Sequence, residues 1–130
     1  MTSMVERPDL LFSITIKKKT GCGKMYITIT IRDGKIFEVF NQMGKAGGCA
    51  ASQSEMAGRL ISAALRSGVE PQVLVKQLKG ISCHLPDGFG ESKVLSCADA
   101  IAQAMEEVLK NLDAYTKAFQ AIPPAEAMSA

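Results

Sequence analysis

The sequence predicts an α+β fold in which a three-stranded antiparallel meander packs against about three helices. Two observations lead to this prediction. The first third of the chain carries three segments that alternate apolar and polar residues, and the remainder carries segments of helical periodicity. With 130 residues the chain is long enough to bury one core. We therefore expect a single domain over residues 11–118, after a flexible lead-in at 1–10 and before a disordered tail at 119–130.

The three strands are recognised by their period of two. They are predicted at residues 11–18, 25–31 and 35–42. Asp33 and Gly34 are predicted to form the turn of the second hairpin, because both residue types tolerate a positive φ. On the third strand Glu38 stands between Phe37 and Val39, so the alternation predicts that Glu38 faces solvent.

Three helices are predicted after the strands. The first carries Ser52 and Glu55 with the spacing of a capping box, which predicts its start there. The second begins near Pro71, since proline suits the first turn of a helix. The third begins at Ser96, a favourable N-cap residue, and its apolar stripe extends toward Phe119.

The charge balance and the N-terminus predict the compartment and the kinds of partner. Fifteen basic and thirteen acidic residues nearly cancel, so we expect neither nucleic acid nor a membrane surface as a partner. The cluster Lys17–Lys19 with Lys24 is interpreted as a solvated strand end. No signal-peptide pattern and no apolar run of roughly 18 residues is present, so a cytoplasmic location is expected.

Each of the four cysteines lies at a break between patterned segments: Cys22, Cys49, Cys83 and Cys97. Loops and helix starts can direct several thiolates toward one point, and thiolate is favoured near helix N-termini. A cytosolic setting disfavours stable disulfides. Three interpretations remain open on these grounds: a metal site, unliganded structural cysteines, or a redox pair. The intervals of 27, 34 and 14 residues contain no C-x₂-C pair, so spacing alone is a weak signal for metal.

Other chemistry has little support in the sequence. His84 adjoins Cys83 and could replace a sulfur ligand, although a single loop histidine is more often solvated. The glycine-rich segment Gly44–Gly48 precedes a helix but lacks the Lys-Ser/Thr pair of a phosphate-binding loop, so a nucleotide-binding regulator is a minor alternative. No carboxylate pairs with a histidine or a second carboxylate, and no catalytic residue is predicted.

Several ordered segments of the chain resemble the TSCPD domain, which forms the C-terminal part of adenosylcobalamin-dependent (class II) ribonucleotide reductases and also occurs as a small free-standing protein. The likeness extends over about residues 7 to 110. The matching segments are Lys18–Tyr26, Phe37–Phe40, Gly44–Ala50, Gly58–Ile61, Ala64–Gly68 and Leu78–Ile81.

The resemblance implies that the four cysteines bind a metal, and zinc at Cys22, Cys49, Cys83 and Cys97 becomes the leading interpretation. Three positions depart from the family pattern. Ala98 follows Cys97 where the family motif has proline, and Leu95 stands where the motif has threonine. His84 follows Cys83 where relatives commonly carry proline, which leaves a variant ligand set open.

The function implied by the resemblance is a non-catalytic, zinc-binding accessory module related to the reductases that make deoxyribonucleotides. A reductase catalytic chain is the expected partner, and a homo-oligomer is also compatible. The chain alone should not reduce ribonucleotides or bind adenosylcobalamin, because about 130 residues cannot hold the catalytic barrel. The alternative is a thiol–disulfide module that re-reduces a reductase. The absence of C-x-x-C and of a cysteine after Cys97 stands against it.

Overall fold

The computed structural model describes residues 3–44 and 48–122 and confirms the α+β fold. Three antiparallel strands form one sheet in the order β1-β2-β3, and four helices follow in the described part of the chain. The elements are β1 (Phe12–Thr20), β2 (Gly23–Arg32), β3 (Lys35–Met43), α1 (Gly48–Arg66), α2 (Pro71–Leu78), α3 (Cys97–Lys110) and α4 (Leu112–Gln120). None of the helices within these residues is long and apolar enough to cross a membrane.

The hairpin between β2 and β3 forms as its turn residues predict. Asp33 and Gly34 have φ values of 52° and 75°, the left-handed region that this two-residue turn requires. The register changes between Thr30 and Ile31, because Thr30 pairs with Glu38 whereas Ile31 pairs with Ile36. One extra residue on β3, Phe37, therefore forms a β-bulge.

The core lies between one face of the sheet and α3. On the sheet side Ile27 and Ile29 are fully buried, and on α3 Met105 and Val108 are fully buried. Ser96 is the N-cap of α3 as predicted, since its hydroxyl accepts a hydrogen bond from the N–H of Asp99 at 3.0 Å. The burial of these α3 side chains holds the helix against the sheet.

Helix α1 covers the free edge of β3. The Ser62 hydroxyl donates to the carbonyl of Val39 at 2.9 Å and accepts from its N–H at 3.0 Å. The helix approaches so closely that a Cβ at Gly58 would lie 3.2 Å from the same carbonyl. An edge strand that would otherwise present unpaired backbone groups is thereby protected.

Two predicted helix boundaries are wrong. Helix α1 begins at Gly48, so Ser52 and Glu55 lie inside the helix and form no capping box. Helix α3 does not continue to Phe119 as one helix, because the helical conformation is interrupted at Asn111 (φ −116°) and α4 begins at Leu112. The predicted tail overlaps the end of α4 at residues 119–120, and its residues 123–130 lie outside the described residues.

The prediction that Glu38 faces solvent is wrong. Its side chain is almost fully buried and accepts two bonds from Nε of Arg7, at 2.9 and 3.1 Å. The Arg66 guanidinium lies 3.8 Å from the same carboxylate and also bonds the carbonyl of Val5. The segment before β1 therefore crosses the second face of the sheet and covers Glu38 there.

Candidate functional site

The four cysteines occupy the ends of different elements, as their sequence positions predict. Cys22 is exposed in the turn between β1 and β2, and Cys49 is exposed in the first turn of α1. Cys83 is half-buried in the loop between α2 and α3, and Cys97 is half-buried as the first residue of α3. All four are free thiols.

A single carboxylate organises the loop that carries Cys83. Asp99 is 4 % exposed and accepts bonds from the N–H groups of Gly80 and Leu95, each at 3.0 Å. These donors lie at the two ends of the loop, so Asp99 draws both ends to the first turn of α3. The N–H of Cys83 also bonds the carbonyl of Leu95 at 3.0 Å. Cys83 is thereby held beside the start of the helix that carries Cys97.

The turn that carries Cys22 docks against the same loop. A Cβ added at Gly21 would overlap the backbone carbonyl of Leu85, two residues beyond Cys83. Leu85 in turn donates its N–H to the sulfur of Cys83 at 3.4 Å. The Thr20 hydroxyl accepts from the N–H of Cys22 at 3.2 Å and shapes the turn. The backbone contact thus brings the Cys22 turn to the Cys83 loop.

The pKa of the Cys97 thiol is raised by its surroundings. Burial raises the pKa of the Cys97 thiol above its usual 9.0, and the nearby Cys22 and Cys83 raise that pKa further by charge repulsion. The hydroxyls of Thr20 and Ser54 act in the opposite direction. The Ser54 hydroxyl is buried, lies near the thiol and makes no close hydrogen bond among the described residues.

Cys49 and His84 are less closely tied to this neighbourhood. Cys49 is five residues before Ser54 on α1, a rise of about 7.5 Å along the helix axis. His84 is exposed on the loop. Across residues 3–44 and 48–122, no group of three or more histidine, cysteine or acidic side chains is close enough to hold a metal ion. The structure therefore brings the segments that carry Cys22, Cys83 and Cys97 together, and it forms no coordination sphere among the described residues.

The donor set nevertheless fits a soft metal ion. The candidate ligands are four thiols, the soft donors that zinc accepts, and two of them stand at the first turn of a helix. The Ser54 hydroxyl is available to a sulfur anion, and the N–H of Leu85 already bonds one sulfur. Sulfur ligands with such hydrogen-bond donors around them are typical of structural zinc sites.

Sequence reasoning missed the residues that assemble the site: Gly21, Ser54 and Asp99. Gly21 carries a readable signal, because glycine beside a candidate ligand often marks a close backbone approach. Ser54 and Asp99 carry none, since each is one polar residue on an ordinary helix. The glycine-rich segment proposed as a minor phosphate site lies partly outside the described residues, at 45–47, and nothing in the structure tests it.

Comparison with known proteins gives one family. The family model described as the TSCPD domain matches residues 2–109, a span that includes all four cysteines. Searches of curated proteins and of solved structures found no significant match.

Proposed function

Because the chain belongs to the TSCPD domain family, which is linked to the C-terminal regions of ribonucleotide reductases, we propose that it is a non-catalytic zinc-binding module that docks onto a reductase chain in the cytoplasm. Cys22, Cys49, Cys83 and Cys97 are the proposed ligands. The backbone contact of Gly21 with Leu85, which brings the Cys22 turn to the Cys83 loop, is the observation that carries this proposal.

The proposed role of the metal is to cross-link segments that the hydrophobic core holds weakly. Little apolar surface of the loop between α2 and α3 is buried, and Ile81, Leu85 and Phe89 are exposed. Bound zinc would supply bonds from this loop to the β1–β2 turn and to the starts of α1 and α3. Metal binding of this kind contributes directly to the free energy of folding.

The same ligand set supports a structural role over a catalytic one. Four thiolates fill the tetrahedral coordination that zinc prefers, whereas catalytic zinc sites keep one position for water or substrate. The carboxylates nearest the core are engaged elsewhere, since Glu38 binds two arginines and Asp99 binds the loop backbone. Neither is available as a general base beside the cysteines.

Elemental analysis of the full chain, purified under reducing conditions, tests the proposal. We expect about one zinc per chain, and we expect a cobalt-substituted sample to show thiolate-to-cobalt charge-transfer absorption. Serine substitution of each cysteine in turn should lower metal content and reduce the thermal stability of the domain. His84→Gln is the matched control, and it should leave both properties unchanged because His84 is exposed on the loop.

Two results would contradict the proposal. Protein that unfolds cooperatively and with unchanged stability after complete removal of metal would exclude a structural zinc. A reversible disulfide formed at cytosolic potentials without any bound metal would support the thiol–disulfide alternative instead. Loss of zinc in the His84→Gln variant would show that His84 is a ligand. The metal-binding proposal would then stand with a revised ligand set.

A further inference from the structure

The second face of the sheet is divided into a covered half and an open half. Thr30 and Glu38 are buried where the N-terminal segment crosses the face. Farther along the strands this cover ends. The open face, as we define it, consists of Thr15, Lys17, Lys19, Lys24, Tyr26, Thr28, Phe40 and Gln42.

Two aromatic rings lie side by side on the open face. Tyr26 is 38 % exposed and Phe40 is 43 % exposed. Tyr26 pairs with Gln42, and Phe40 pairs with Thr28, so the two rings are diagonal neighbours on adjacent strands. Such neighbours are about 7–8 Å apart, which places two flat apolar surfaces within one small area.

Depressions in the surface flank the Tyr26 ring on both sides. One is lined by Phe40, Thr28 and Gln42, among others, and the second by Lys19, Lys24 and Gly44. A Cβ at Gly44 would lie 3.6 Å from Cε2 of Tyr26, so glycine leaves that ring edge uncovered. Each ring therefore has space beside it for a planar group.

The charged residues of the open face are all lysines. Lys17 lies directly opposite Tyr26, and Lys19 lies directly opposite Lys24. None of these three ammonium groups forms an ion pair with any described residue. The strand segments 13–19, 24–28 and 40–42 contain no acidic residue. Like charges directly opposite each other destabilise a sheet, so the Lys19–Lys24 pair is a local cost that an anionic ligand would remove.

We propose that the open face binds single-stranded nucleic acid, with one base stacked on Tyr26, a second on Phe40, and the lysines on the phosphates. Exposed aromatic side chains on a sheet, bordered by lysine, are the common device for binding unpaired bases. The near-zero net charge of the whole chain instead predicted that nucleic acid is not a partner. That prediction averages over the whole surface, whereas the fold sets Lys17, Lys19 and Lys24 on the same face as two aromatic rings.

An acidic peptide is the other occupant to consider, and the structure favours it less. A peptide that adds to the sheet as a strand pairs with an edge strand, and it would leave the rings on the open face unoccupied. A peptide bound by charge alone would make no use of the two neighbouring exposed rings.

Fluorescence anisotropy with labelled 12-nucleotide rU and dT strands, titrated with the full chain at about 50 mM salt, tests the proposal. Phe40→Ala and Tyr26→Ala should each weaken binding at least about fivefold. Phe40→Tyr should retain binding, because the tyrosine ring still stacks. Lys17→Gln should reduce the slope of log affinity against log salt by about 0.7.

The matched controls are Phe89→Ala and Lys76→Gln. Phe89 is 91 % exposed on the loop between α2 and α3, and Lys76 is exposed on α2. Neither residue belongs to the open face, so neither change should alter affinity by a measurable factor. Far-ultraviolet circular dichroism and thermal unfolding establish that each variant is folded.

Several results would overturn the proposal. The first is no binding of either strand at low salt, and the second is a loss of binding in the control variants equal to that in the open-face variants. The third is an affinity for a duplex of the same length, or for free uridine monophosphate, equal to the affinity for the single strands. Tighter binding of a labelled poly-glutamate peptide than of either oligonucleotide would assign the open face to an acidic protein partner instead.

Discussion

The carboxylate of Glu38 and the guanidinium of Arg7 form a two-bond contact across 31 residues of sequence, with Nε 2.9 and 3.1 Å from the two oxygens. Arg66 approaches the same carboxylate to 3.8 Å, and its ring contact with Phe37 is 5.8 Å from guanidinium carbon to ring centre. Glu38 therefore joins the N-terminal segment, the bulge of β3 and the end of α1.

Replacement of Glu38 by glutamine should destabilise the domain by about 2 kcal/mol, because hydrogen bonds to a charged group are lost and Arg66 loses its carboxylate. The figure stays below that of a fully buried pair, since the Arg7 side chain is 46 % exposed. Urea unfolding monitored by circular dichroism measures the change. Glu55→Gln, whose partner Arg59 is exposed, should change stability by less than about 0.5 kcal/mol. Equal effects of the two substitutions would contradict this account.

The position of Glu38 also shows where prediction from sequence ends. The strands were predictable, because alternation of apolar and polar residues directly reflects a half-buried sheet. The burial of Glu38 was not, because it depends on a bulge at Phe37 and on a distant arginine. The local pattern of apolar and polar residues indicates neither the bulge nor the arginine.

The same division holds at the candidate site. The four cysteines were recognisable from their positions at element ends and from the family likeness. Their arrangement depends on the loop between α2 and α3, which has no periodicity and is ordered by Asp99 and by its contact with Gly21. Such long-range backbone contacts leave no pattern in a single sequence.

Gly21→Ala should separate the β1–β2 turn from the loop that carries Cys83. The added Cβ would overlap the carbonyl of Leu85, and backbone atoms on both sides cannot yield as a flexible side chain can. We expect a lower zinc content. We also expect a loss of stability greater than about 1–2 kcal/mol, which is the cost of a non-glycine residue at a position with positive φ.

Gly90→Ala is the matched control for that substitution. Gly90 has a φ of 60° and no atom near its missing Cβ, so the variant reports backbone strain without a steric clash. It should retain its zinc. If Gly21→Ala bound zinc as well as Gly90→Ala did, the turn and the loop would not need their close contact for the metal site.

The thiol of Cys97 should react more slowly with iodoacetamide than that of Cys22 in the metal-free protein. Burial and the neighbouring thiols raise the pKa of Cys97 above 9.0, so at pH 8 it is almost entirely in the unreactive thiol form. Its rate should climb as the pH approaches that raised pKa. Mass spectrometry of timed samples gives the rate at each cysteine.

Zinc should protect all four cysteines in the same alkylation experiment. A rate at Cys97 that equals or exceeds the rate at exposed Cys22 at pH 8 would show that its thiolate is stabilised in the metal-free protein, contrary to the raised pKa.

Two serines of α1 should respond to alanine in opposite directions. Ser62→Ala leaves the N–H and carbonyl of fully buried Val39 without their hydroxyl partner, which should cost about 1–3 kcal/mol. Ser52 is exposed inside the helix, so Ser52→Ala should stabilise the domain by a few tenths of a kcal/mol through helix propensity. Were Ser52 the N-cap that its spacing to Glu55 predicts, the same change would instead cost about 1 kcal/mol. Urea unfolding of both variants distinguishes these outcomes. Destabilisation by Ser52→Ala would show that Ser52 is the N-cap and that α1 begins there.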